Sequence, residues 1–149
     1  MRRFSLRLYS LTFYPYKMTK ISVNQRSIQI FRVMLSGIFL VAGLSHLFNI
    51  EKTLQKIDQA TFKGLAHIFG DPTPIIILSG IAMLLGGLSL MVGFKTKWAA
   101  IILAACLIPI TLTVQVGQMD SLGPLFKNIA IFGGLLFFIL NDFKLTQKT

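Results

Sequence analysis

Seven polar side chains interrupt an otherwise apolar chain and are of types that do chemistry: His46, Asn49, Gln115, Gln118, Asp120, Lys127 and Asn128. All seven fall near the same ends of the apolar stretches that carry them. Reduction of a quinone needs donors for two carbonyl oxygens, a proton-exchanging group and an apolar channel for the isoprenoid tail. Histidine exchanges protons near neutral pH, which suits His46 to that task. Asn128 or Gln115 can donate, and Phe126, Phe132, Phe137 and Phe138 can wall a slot. With Asn49, these residues make the candidate quinone or polar site: His46, Asn49, Gln115 and Asn128. The same residues have a plainer reading. Polar groups near helix ends often only join helices to one another, and phenylalanines often face lipid or core.

Other chemistries find less support. Haem held by two histidines would need His46 and His67, the only two in the chain, and His67 lies in a loop. Neither a metal-ligand cluster nor a nucleophile with its base is spaced along the sequence. Gly86-Gly87 and Gly133-Gly134 lie within apolar stretches, where they suit helix packing better than a phosphate loop. Cys106 is the sole cysteine, which removes exchange within a cysteine pair and leaves it a small core hydrophobe.

The elements that must position these groups are four apolar stretches, Val33–Ile50, Pro74–Phe94, Trp98–Gly117 and Leu125–Leu140. Each approaches the roughly 20 residues that a helix needs to cross ~30 Å of hydrocarbon. Hydrophobic residues make up 54% of the 149 and charged ones 13%, too few to coat a soluble core; about 25% is usual in soluble domains. The alternating pattern of a β-barrel strand is absent. The expectation is an all-α, integral membrane four-helix bundle, surrounded by lipid, with residues 29–149 forming the membrane domain.

The net charge of +10 is unevenly spread. Arg2, Arg3, Arg7, Lys17, Lys20, Arg26 and Arg32 precede or open the first span; Lys95 and Lys97 sit between the second and third, and Lys144 and Lys148 follow the fourth. The opposite side has Lys52, Lys56, Lys63 and Lys127, with Glu51, Asp58, Asp71 and Asp120. Cytoplasmic loops collect Lys and Arg, so both termini are expected inside, most naturally at a bacterial inner (plasma) membrane. Arg32, Lys95, Lys97 and Lys127 are the expected interface anchors. Nucleic acid is not supported, because the basic residues have no partner fold.

Residues 1–28 form a basic, acid-free arm. It resembles a mitochondrial-type presequence, but an arm resting on headgroups, or translation from Met18, accounts for it better. In the first span Arg32, Ser36, Phe39, Gly43 and His46 recur at steps of three and four, a narrow stripe facing other helices. Residues 51–73 read as a short interfacial helix in the outer loop. Gly43, Ala82, Gly86, Ser89, Gly93, Ala100, Ala104 and Gly134 are the expected packing positions, and Pro109 should kink the third helix.

The order of these pieces resembles the DoxX family of small four-helix membrane proteins. The matching residues are Arg32 with Gly37-Ile38-Phe39-Leu40 and Gly43-Leu44-Ser45-His46, then Leu84-Leu85-Gly86-Gly87-Leu88, then Gly93 with Lys95-Thr96-Lys97 and Trp98-Ala99-Ala100. Lys127-Asn128-Ile129-Ala130 and Gly133-Gly134-Leu135-Leu136 complete the set, over residues 32–140. The resemblance implies a membrane subunit linked to an oxidoreductase complex, in some members with quinone as acceptor. Where many members carry a Glu before the Leu-Leu-Gly-Gly motif this chain has Met83. Where many carry a His in the outer half of the third span it offers Thr111, Thr113, Gln115 and Gln118. The leading expectation is an accessory or quinone-interacting redox subunit. The alternative is a non-catalytic scaffold that binds a protein partner or a second copy, and the third is a small transporter or pore component, for which broken helices and repeats are missing.

Overall fold

A computed structural model describes residues 23–68, 70–117 and 122–141, and these form helices joined by turns. In chain order they are α1 (Gln25–Phe48), α2 (Ile50–Asp58), α3 (Lys63–Ala66), α4 (Thr73–Val92), α5 (Thr96–Val114) and α6 (Leu122–Leu140). Helices α1, α4, α5 and α6 are each long and apolar enough to cross a membrane. The chain is therefore an integral, multi-pass membrane protein in contact with the bilayer. One end of the bundle carries Lys95 and Lys97, here the basic end; the other carries α2 and α3, here the loop end.

Helix α1 starts eight residues before the apolar stretch does. Its first turns, with Gln25, Arg26 and Gln29, are polar, so hydropathy does not reveal them. The start is set by Asn24, whose Oδ1 accepts the N–H of Arg26 at 2.9 Å. Asn49 then ends α1 and begins α2, so one residue joins the two helices. The expected single helix over residues 51–73 is two short ones, α2 and α3, separated by a turn. They cross the loop end against α4 and α5, with Ile57 and Ala60 buried beneath them. Thr61 Oγ1 donates to Gly117 O at 3.4 Å, and His67 pairs with Asp58 at 3.0 Å. The carboxylate of Asp71, just before α4, accepts both the N–H and the Oγ1–H of Thr73, which holds its pKa below the usual carboxylate range.

Lipid tails are as apolar as leucine, so burial cannot drive these helices together and close packing must. The tightest contact joins α1 to α4. A Cβ on Gly43 would stand 2.9 Å from Gly80 O and 2.9 Å from Leu84 Cγ. Gly80 in turn receives His46 and Leu47, and Gly87 receives Leu40. Gly86 points the other way and admits Leu103 of α5, while Ala100 and Ala104 of α5 are buried. Gly134 of α6 admits Phe31 and Leu35 of α1. Of the expected packing positions, Gly43, Gly86, Ala100, Ala104 and Gly134 lie in the core, and Ala82 and Ser89 are half-buried. Gly93 ends α4 in the left-handed conformation, φ 88°.

The stripe on α1 also faces inward: Ser36, Phe39 and Gly43 are buried, while Arg32 and His46, toward its two ends, are half-buried. Val33, Met34, Ile38 and Val41 point outward. Phe138 is buried and packs with Phe31 and Phe137, ring centroids 5.3–5.8 Å apart. These rings fill the core near the basic end, Phe132 is half-buried and Phe126 is exposed.

Gly43→Ala is expected to destabilise the protein by about 1–3 kcal/mol, because a backbone carbonyl cannot move aside. Gly37 has nothing within 4 Å of a Cβ. Gly37→Ala should therefore be neutral, or stabilising by up to about 1 kcal/mol. Thermal unfolding of both variants in the same detergent checks the pair; equal melting temperatures would remove the close approach as the organising contact.

Candidate functional site

The polar groups of the apolar region form two pairs at the loop end, built alike. His46 on α1 lies 3.0 Å through Nδ1 from Ser79 Oγ on α4. Ser79 donates its own hydroxyl hydrogen to Ile76 O, 2.8 Å away and one turn back. With the serine hydroxyl so engaged, the tautomer of His46 protonated on Nδ1 is the one that can donate to it. Gly80, beside Ser79, lets the Cβ of His46 come this close.

The second pair repeats the design between α5 and α6. Asn128 Nδ2 donates to Thr111 Oγ1 at 2.9 Å, and Thr111 donates to Leu107 O at 2.7 Å. Asn128 is buried, as is Thr113. In both pairs a hydroxyl on a central helix closes onto a carbonyl of its own helix and receives a donor from a flanking helix. Gln115, one turn beyond Thr111, has its Oε1 buried with no hydrogen-bond partner among the described residues. A buried acceptor without a donor is costly.

The expected site residues thus divide. His46 belongs to α1 and α4, Asn128 to α5 and α6, with Gln115 on the α5 side. Asn49 is exposed and contributes its backbone carbonyl to Thr53 at the α1–α2 joint. Lys127 is exposed beside Asn128. Gln118 and Asp120 lie outside the described residues. The two hydroxyl partners, Ser79 and Thr111, were visible in sequence only as a small residue and a polar one. A step of three or four residues to a carbonyl is present for every helical Ser or Thr and does not reveal which also accepts. Met83 is buried in the apolar core, so no carboxylate enters there. Cys106 is half-buried against the same core.

Of the expected anchors, Arg32, Lys95 and Lys97 lie at the basic end and Lys127 at the loop end. Arg32 extends to Gly93, against which its guanidinium packs, and its Nε is buried without a partner among the described residues. Lys95 and Lys97 are exposed; Lys95 Nζ lies 5.6 Å from the centroid of Phe94.

Comparison with known proteins adds one finding. The sequence model of the DoxX family matches residues 27–116, from the first turn of α1 to just past α5. No curated protein and no solved structure matches the chain.

The pairing makes a quantitative expectation. A double-mutant cycle on Asn128→Ala and Thr111→Ala should show a coupling of about 0.6 kcal/mol, at most about 1.7, the range of such bonds in membranes. The cycle on Asn128→Ala and His46→Ala should be additive within about 0.5 kcal/mol. Strong coupling between His46 and Asn128 would contradict the division into two pairs.

Proposed function

The chain belongs to the DoxX family, and from that premise we propose that it is an accessory, quinone-interacting subunit of a membrane redox system. The observation that carries this reading is Gln115 Oε1, a buried acceptor without a donor among the described residues, one turn from the Thr111–Asn128 pair. The hydroxyl of a reduced quinone is a donor that reaches the site from within the bilayer. In this reading Gln115 accepts from that hydroxyl and Asn128 orients the headgroup. His46, held against Ser79 through Nδ1, is the group that takes or returns a proton. The quinone supplies the two-electron acceptor; the chain supplies binding, orientation and the proton site. Both termini are inside and the loop end is outside, in a bacterial plasma membrane, in keeping with the distribution of Lys and Arg.

A second reading rests on a different observation. Phe48, Phe62, Leu65 and Ile68 are all exposed at the loop end. That surface suits a non-catalytic scaffold that seats a protein partner or a second copy.

The discriminating measurement is the quinone-to-protein ratio after gentle detergent extraction from native membranes. The redox reading expects near-equal amounts and a fall of about five- to tenfold or more in Gln115→Leu, the cost of one lost hydrogen bond to a buried group. The same variant should melt higher, because leucine removes an unsatisfied buried oxygen. An intact, monodisperse protein without quinone would reject the redox reading in favour of the scaffold.

A further inference from the structure

We propose that Arg32, Lys95 and Lys97 form a seat for the phosphate of one anionic phospholipid at the basic end. This surface is independent of the quinone reading and lies at the opposite end of the bundle. Arg32 rises from α1 and lays its guanidinium against Gly93, two residues before Lys95. It makes no hydrogen bond or ion pair among the described residues, and its Nε is buried and unsatisfied. A guanidinium in that condition needs an acceptor, and phosphate oxygens match its planar fork.

Charge points the same way. The described acids, Glu51, Asp58 and Asp71, all lie at the loop end, so among the described residues none balances these cations; Asp142, after α6, lies outside them. Lys95 adopts a left-handed conformation, φ 43°, which Gly or Asn would adopt with less strain. Lysine at that position keeps a cation beside Gly93. Gly93 is part of the seat as well, because a Cβ there would fill the space that the guanidinium occupies.

The neighbouring apolar residues identify the occupant as a lipid. Phe94 and Trp98 flank the two lysines and are both 64% exposed. Exposed aromatics interleaved with lysines are the composition of the headgroup level of a bilayer. An anionic phospholipid presents a phosphate at that depth and acyl chains alongside the helices, whereas a soluble anion would leave the aromatics uncovered.

The test is native mass spectrometry of the delipidated full-length protein, titrated with phosphatidylglycerol or phosphatidylcholine. One phosphatidylglycerol per chain should be retained at concentrations where phosphatidylcholine is not. Each cation near an anionic surface changes binding about fivefold, so Lys95→Gln with Lys97→Gln should weaken retention roughly 25-fold. Both lysines are exposed, so this variant should fold even where Arg32→Gln does not. Equal retention of the two lipids, or undiminished retention by the double variant, would overturn the proposal. Displacement by excess inorganic phosphate would transfer the site to a soluble anion and overturn the lipid assignment.

Discussion

Inside a bilayer the usual reason for helices to associate is missing, and what replaces it here is the approach of α1 to α4 at Gly43 and Gly80. Each glycine leaves room that the opposite helix fills: Leu84 over one, His46 and Leu47 over the other. Dispersion between two atoms is small and falls quickly with distance, so only close approach accumulates enough of it. The bundle is then assembled outward from this contact. Helix α5 joins through Gly86, and α6 joins α5 through its buried apolar face. The last seam, between α6 and α1, is filled near the basic end by Phe31, Phe137 and Phe138.

The polar pairs depend on the same geometry. An isolated histidine or asparagine in hydrocarbon is costly, and its best remedy is a partner on the next helix. That partner must be within about 3 Å, which serine manages only where the backbones nearly touch. Ser79 next to Gly80 meets this condition. Packing therefore decides which polar groups can meet, and the chemistry available at the loop end follows from it.

Much of this was legible in the sequence, for reasons that can be located. Four runs of high hydropathy specify four spans, because lipid punishes unsatisfied backbone and leaves the helix as the economical answer. The inward stripe on α1 was also legible, since a period near 3.6 is a property of one helix alone. The start of α1 was not, because it depends on the cap at Asn24 and not on hydropathy. The contacts of the glycines were not either. Gly86 and Gly87 are adjacent yet receive different helices, and Gly133 receives none while Gly134 is filled. The candidate site shows the same limit. His46, Gln115 and Asn128 could be chosen by type, but the sequence holds no register between helices, so the division into two pairs was hidden.

One feature of those pairs has an uneven effect. Because Ser79 and Thr111 each keep a bond to a carbonyl of their own helix, they stay satisfied when the flanking residue is lost. Asn128 Nδ2 has no such reserve among the described residues. Damage is thus one-directional: the central helices α4 and α5 tolerate drift in their neighbours, but α6 does not tolerate drift in α5. Over many generations of substitution, such an arrangement lets the flanks vary their polar groups while α4 and α5 stay constant, a fixed frame with exchangeable sides.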